Sequence, residues 1–482
     1  MWGQWSSVDF NPSWWGLPCR SESVAQPNSF DEWKAWALAE DQRTGAERWK
    51  QDDSSHLYDH RVIRRRFDEL LDVRASGDAH RLLYYLNEGL HGNMGGMGAP
   101  QLYAEAQFGT KQLITDYISE LAGALEDFEN SSAVDRATKL GYFRRAAGCF
   151  GRSALMLSGA GSRAPFHIGV ARALVEQDLL PNVISGASGG AVVTAILGTH
   201  TGASLSRALS ADEPGLRFDA LDNLETLPYS QRRIDIEDLQ GLLEESVPDL
   251  TFIEAFEETG RHINISVAPA QVHQRSRLLN ATTSPNACIR EAVLASCAIP
   301  SIFPPVTLAA RDAAGQRQPY VPSRQWIDGS ITDDLPARRL ARLYSVNHFI
   351  TSQTNPLALW MLPDPHAQDD LFTRWLTIYQ SAAREWLRAL YPFVLDLVRN
   401  VEPLNRNTRL LFGLATQEYT ADINIFPRQR VFDPDQLLAR LSADETRSLI
   451  VEGERATWPK VEMIRNCTTV SRQIDGALMR LG

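Results

Sequence analysis

Val183-Ile184-Ser185-Gly186-Ala187-Ser188-Gly189-Gly190-Ala191-Val192-Val193-Thr194-Ala195-Ile196-Leu197 is the stretch that decides how this chain folds. Val183 and Ile184 supply a short buried strand, residues 186–190 fit the G-x-S-x-G turn, and the apolar run after them reads as a buried helix. A strand–turn–helix of this kind lifts a serine hydroxyl to the carboxyl end of a sheet. Glycines at 186 and 190 keep side chains out of the crowded bend, and the helix N-terminus favours negative charge developing beside Ser188. With 31 glycines in 482 residues, the string alone arises by chance in about one chain in ten. Its flanks raise its weight, and Ser188 reads as a nucleophile rather than an ordinary serine in a packing turn.

Working outward, residues 154–157 read as a strand and 166–177 as a helix ended by Pro181. Between them, Ser158-Gly159-Ala160-Gly161-Ser162 is a second strand-to-helix loop of small residues. The amides of Gly159, Ala160 and Gly161 are candidate oxyanion donors, since fixed backbone N–H groups need no reorganisation during reaction. A packing loop or a phosphate-binding loop is the alternative, although Ala164 in the third glycine place departs from G-x-G-x-x-G. Further strands are expected at 262–267, 326–327 and 348–351. The β-α-β-α order predicts an α/β fold, a three-layer α/β/α sandwich around a mainly parallel sheet.

A nucleophile needs a base. Asp328-Gly329-Ser330 follows the apolar Trp326-Ile327, at a strand end of the kind where such folds gather their sites. A second Asp-Gly begins at Asp475, in a polar helical run that reads as solvent-facing. An ordinary Asp, near 3.9, is a poor base at neutral pH, so a working Asp328 should be desolvated and raised. His348 and His366 follow Asp328 and give the Ser, Asp, His order of a hydrolase triad. His348, in a strand, reads as a core histidine, and His366 as loop surface. A candidate acyl pocket is lined by Ile299, Ile302 and Phe303, with core packing as the equal alternative. No His-Glu-x-x-His, EF-hand or Walker string is present, so neither a metal nor a cofactor is expected.

The remainder reads as four regions: a Trp-rich arm over 1–29, a helical leader over 30–130, the α/β domain over 150–360, and a mostly helical extension over 361–482. The arm carries Trp2, Trp5, Trp14 and Trp15 and is expected to strap over a domain, with an interfacial membrane anchor as the alternative. In the extension, the stripe Leu371, Trp375, Ile378, Ala382, Trp386, Ala389 and Phe393 reads first as core and second as a lipid-facing surface. The basic run Arg61, Arg64, Arg65, Arg66 reads as a solvated helix face. Hydrophobic residues at 44% and charged residues at 22% fit a globular protein. Forty-eight Lys and Arg against 59 Asp and Glu give a net charge of −11, which argues against nucleic acid as a partner. Five scattered cysteines, without a Cys-x-x-Cys pair, and a start lacking a basic and apolar leader point to a cytoplasmic setting. No stretch of about 18 apolar residues is present, so membrane contact is expected to be peripheral. The sequence is silent on oligomeric state.

Taken together, these residues resemble the patatin-like acyl hydrolases, in the branch of triacylglycerol lipases of lipid droplets. The likeness runs from about residue 30 to 475. It rests on Trp33 onward, on 59–90, and on Asn93-Met94-Gly95-Gly96-Met97-Gly98-Ala99-Pro100. Leu157-Ser158-Gly159-Ala160-Gly161, Gly186 to Gly190, Leu278-Leu279-Asn280 and Ala295-Ser296-Cys297-Ala298-Ile299-Pro300 continue it. The set closes with Trp326 to Pro336, Asn347-His348-Phe349-Ile350 and 452–458. The resemblance implies a patatin-like sandwich and a Ser-Asp dyad without histidine on Ser188 and Asp328, with Gly159, Ala160 and Gly161 in the oxyanion loop. Ala160 stands where the family usually has glycine, and a positive φ there would cost about 1 kcal/mol or more. The implied activity is lipid ester hydrolysis, on triacylglycerol or phospholipid, at a membrane or lipid-droplet surface. Acyl transfer by the same acyl-enzyme is one alternative. A catalytically impaired lipid-surface binding protein is another.

Overall fold

A computed structural model describes residues 27–90, 92–210, 227–271, 276–300, 302–355, 359, 421–428 and 436–482. The tryptophans of the arm, His366 and the apolar stripe over 371–393 lie outside the described residues. Among the described residues there are nine strands: β1 (Arg152–Leu157), β2 (Val183–Gly186), β3 (His262–Pro269), β4 (Arg277–Asn280), β5 (Ala309–Arg311), β6 (Arg317–Pro319), β7 (Trp326–Asp328), β8 (Val346–Ser352) and β9 (Ile423–Ile425). Seven form one sheet in the order β4-β3-β2-β1-β8-β9, with β7 also paired to β3, while β5 and β6 make a separate hairpin.

The pairs β1–β2, β2–β3, β1–β8 and β8–β9 are parallel, and only β4 and β7 run against β3. This is the expected mainly parallel sheet. Its central strands are buried on both faces, which is why β1 and β2 read as short apolar runs, while in β3 Ile263, Ile265 and Val267 alternate with Asn264 and Ser266, buried polar residues that are hydrogen-bonded. Register aligns the strand ends: Leu157 lies opposite both Gly186 and Ser352, and Val267 opposite Asp328. The loops after β1, β2, β7 and β8 therefore open at one edge. The order reverses between β1 and β8, and crevices at such reversals are where open α/β sheets hold ligands.

Helices Ala164–Glu176 and Gly189–Thr199 make the first crossovers. Against the former lies helix Ala443–Thr457, backbone to backbone: a Cβ on Gly169 would overlap the Ile450 carbonyl, and one on Gly453 the Phe166 carbonyl. Gly169→Ala should cost about 2 kcal/mol or more, because backbone must move to admit the methyl. Gly241, inside helix Ile236–Ser246, has open space where its Cβ would be, so Gly241→Ala should instead add up to about 1 kcal/mol. Opposite shifts of the thermal midpoint in the two variants are the check.

The leader helices His60–Ala75, Ala79–Glu88, Gln112–Asn130 and Arg136–Phe150 bury their apolar stripes in a second cluster. Asp59, Asp78 and Asp135 cap three of them, each accepting backbone N–H groups of the first turn. Val470, Ile474 and Ala477 of the final helix Val461–Leu481 join the same cluster. Helix Phe30–Thr44 faces the other way, with Phe30 and Trp33 in the core of the α/β layer and Trp33 beside Trp458. Two expectations change here. Asp475 is not solvent-facing, because it ties the final helix to β1 through Arg152 at 2.9 Å. The basic run is only partly a solvated face: Arg64 pairs with Asp53, and the Arg66 guanidinium lies 4.2 Å from the Tyr85 ring centre.

Candidate active site

Ser188 caps helix Gly189–Thr199 two residues after the end of β2, with φ 50° and ψ −126°, a backbone strain that a non-glycine residue rarely carries. The bend is held from several sides. Ala187 N–H donates to the Leu157 carbonyl (3.2 Å) and Ala191 N–H to that of Ser188 (2.8 Å). Ser188 N–H donates to Ser296 Oγ (2.9 Å), whose own hydroxyl donates to the Ser266 carbonyl on β3 (2.7 Å). A Cβ on Gly186 or Gly190 would overlap backbone carbonyls, as expected for both. The role of Ser296 was not legible, since its partner lies 108 positions away.

Asp328, buried at the end of β7, accepts the Ser330 N–H at 2.7 Å. Burial raises its pKa to about 6, while the amide and hydroxyl of Ser330 and the hydroxyl of Ser188 pull the other way. The two side chains predicted from distant motifs are thus brought close enough for the Ser188 hydroxyl to act on the Asp328 carboxyl. Among the described residues no histidine bonds to either. His348 Nδ1 meets Ser153 Oγ (2.9 Å) near the start of β1, the far end of the sheet. His167, wholly buried, lies under the loop after β1: Nε2–H donates to the Ser158 carbonyl (3.0 Å) and Nδ1 accepts from Ser352 Oγ (2.6 Å). Burial lowers its pKa to about 4, so it is neutral and structural.

The loop after β1 departs from expectation in two ways. The Gly159 N–H is already engaged, donating to Asp334 Oδ1 at 2.7 Å. Ala160 has φ −128°, so its methyl costs no left-handed strain; the positive φ falls at Gly161, at 52°. Among the described residues no hydrogen bond takes up the Ala160 or Gly161 N–H. A Cβ on Gly189 would lie 3.0 Å from Gly161 N, so the elbow and this loop touch. Asp334 also accepts from Asn355 Nδ2 (3.1 Å). Burial pushes its pKa up to about 7; the Gly159 amide and Asn355 oppose the rise, and the Asp328 and Asp333 charges add to it.

Ser188 opens into an apolar pocket of about 670 Å³, part of it open to solvent. Ile299 and Phe303 line it together with Val192, Leu239, Leu242 and Leu441. Ile302 does not line it and is 52% exposed, because Ile302 and Phe303 both donate N–H groups to the Ile299 carbonyl in a tight turn that sends their side chains apart. The wall from 234–242 and 438–441 is assembled by the Arg233–Ala439 bridge and the Arg440–Asp238 ion pair, neither of which is visible locally in the sequence. Among the described residues no His, Cys, Asp and Glu cluster could hold a metal ion, and no helix is long and apolar enough to cross a membrane.

A family model described as patatin-like phospholipase matches residues 155–341, and one described as a domain of unknown function, DUF3336, matches 20–147. Triacylglycerol lipase ptl2 of Schizosaccharomyces pombe is 30% identical, over 97% of this chain and 76% of its own length. The chain belongs to the patatin-like phospholipase family. Triacylglycerol lipase 4 of Saccharomyces cerevisiae is 34% identical over 93% of this patatin-like chain, which spans 52% of that relative. Among solved structures, VipD of Legionella pneumophila aligns at 16% identity and a TM-score of 0.28, over 62% of this chain and 66% of that one. The patatin-like match contains Gly159 to Gly161, Ser188, Asp328 and Asp334.

Proposed function

We propose that this patatin-like chain hydrolyses lipid carboxylic esters, triacylglycerols or phospholipids, through an acyl-enzyme on Ser188. The observation that carries the reading is that Ser188, on the wall of an apolar pocket, has its hydroxyl close enough to the buried Asp328 carboxyl to favour its ionised form. An acyl chain lying along Val192, Leu242 and Phe303 brings its carbonyl carbon to Ser188 Oγ. As Oγ attacks, its proton passes to Asp328, and the tetrahedral oxyanion takes N–H groups from Ala160 and Gly161, with the first amide of the helix, Gly189, beside them. Asp328 then hands the proton to the departing alkoxide, leaving the acyl-enzyme. Water attacks this ester, giving its proton to Asp328, and Ser188 leaves with that proton.

A carboxylate near 6 suits both halves, ionised enough at neutral pH to accept a proton and basic enough to hold one. The relatives named as triacylglycerol lipases support a lipid substrate, and Ile302, exposed between two pocket-lining residues, supports peripheral contact with a lipid surface. The reading that a glycine-to-alanine change has disabled the loop loses its ground, since Ala160 needs no positive φ.

The test is purified protein against neutral lipids, phospholipids and p-nitrophenyl esters, with a fluorophosphonate to label the nucleophile. Labelling at Ser188 with release of fatty acid is expected; no labelling and no release would refute the proposal. A labelled acceptor alcohol separates hydrolysis from acyl transfer. The pocket makes a prediction of its own. Leu242→Trp fills part of the pocket, so kcat/KM on long-chain esters should fall by about tenfold or more, and by more than on butyrate esters.

A further inference from the structure

Asp334 lies six positions after Asp328 on a short, firmly held segment. The turn Ser330–Asp333 joins the two; Asp333 N–H donates to the Gly329 carbonyl (2.9 Å), and Ser266 Oγ donates to the Asp333 carbonyl (2.8 Å). A Cβ on Gly329 would overlap the Ser266 backbone, so this segment lies directly against β3. From there the Asp334 carboxyl spans to two other strand ends. Oδ1 takes the Gly159 N–H after β1, and Oδ2 takes Asn355 Nδ2 after β8. The loop after β1 has further ties on either side. Ser158 Oγ accepts the Thr354 N–H (2.9 Å), and Ser162 N–H donates to the Leu437 carbonyl (2.9 Å). Between these, the Gly159 and Ala160 carbonyls accept from Thr354 Oγ1 (3.4 Å) and the Arg163 N–H (3.0 Å), and the bond from the Gly159 N–H to Asp334 is the tie of this stretch to the segment that carries Asp328.

We infer that Asp334 is the positioning residue of the oxyanion loop: by holding the Gly159 N–H it withdraws that amide from the hole and presents the Ala160 and Gly161 amides as the donors. Because Asp328 and Asp334 share one segment, the proton acceptor and the oxyanion donors keep a common reference against β3. The inference rests on the acyl-enzyme reading and adds a residue to it. A carboxyl that only filled space would leave the rate per active site unchanged. One that aims two amides changes kcat, since a misplacement of about 1 Å at a reacting centre costs on the order of 10²-fold.

The experiment compares the native chain, Asp334→Ala and Asp334→Asn on p-nitrophenyl butyrate, with rates expressed per fluorophosphonate-titrated Ser188. Asn keeps an oxygen for the Gly159 N–H, and a turn of the Asn355 amide meets its new NH₂. Asp334→Ala should lose about 10²-fold in kcat with KM changed by less than about threefold, and Asp334→Asn should stay within about fivefold of native kcat. Native kcat per titrated site in Asp334→Ala would overturn the inference. So would an Asp334→Asn that folds, as judged by its thermal midpoint, yet loses more than about tenfold in kcat, and this arm stands even where the Ala variant does not fold. A native chain without labelling or turnover is a different failure, that of the acyl-enzyme reading itself.

Discussion

Ser188→Ala is expected to lower ester turnover by about 10⁴-fold or more and to abolish fluorophosphonate labelling, with the fold retained. In the proposed mechanism the hydroxyl is the group that becomes acylated, and no other group in the site replaces it. Ser296 is hydrogen-bonded to the Ser188 amide and to the Ser266 carbonyl, so it is committed to holding the bend. Retention of the fold follows from the backbone ties. The Ser188 N–H and carbonyl bonds do not involve the side chain, and alanine carries the same Cβ at φ 50°. Steady-state rates on a butyrate ester, with circular dichroism as control, decide it. Turnover within about a hundredfold of native would end the acyl-enzyme account.

Asp328→Asn should cost about 10³- to 10⁴-fold in turnover while making the protein harder to unfold at neutral pH. The amide still fits among Ser330 and Ser188 but cannot take a proton. Its stability effect follows from the raised pKa. With a folded value of about 6 against an ordinary 3.8, the native state binds the proton more tightly than the unfolded chain does. Native stability therefore falls as pH rises from about 4 to about 6, and the loss is complete above that window. Two units correspond to about 3 kcal/mol at pH 7, an upper figure because Asp334 sits close enough for the two carboxyls to titrate together. Asparagine removes this penalty, so urea unfolding at pH 7 should show a gain in the variant that vanishes below pH 4. In the native chain, turnover should decline below about pH 6 as Asp328 becomes protonated. A flat rate between pH 5 and pH 8, or an Asn variant with native turnover, would remove Asp328 from the role of base.

Ser188 and Asp328 were legible because each sits at a strand end marked by its own neighbours: Val183-Ile184 before one, Trp326-Ile327 before the other. The parallel sheet was legible from the same short apolar runs. What local pattern could not reveal is where the amide at Gly159 points, since that is set by a carboxyl 175 positions away. Ile302 was misjudged for a related reason. Ile299, Ile302 and Phe303 are all apolar, and only the turn hydrogen bonds to Ile299 decide which of them faces inward. About a third of the pocket wall was invisible because 234–242 and 438–441 meet through bridges and ion pairs between remote segments. Asp475 looked like a surface carboxylate because Arg152, its partner, is 323 positions earlier.

The shared packing of the final two helices bears on how small a working piece of this molecule can be. A fragment cut to 155–341 keeps Ser188 and Asp328 but discards Gly453 and its helix, which shield the crossover after β1, and Leu441, which lines the apolar pocket. It also strips β8 and β9 from one flank of the sheet, baring the edge of β1 to water and to other chains. Such a piece would hold both reactive side chains and yet be prone to aggregate before it could present them to a substrate.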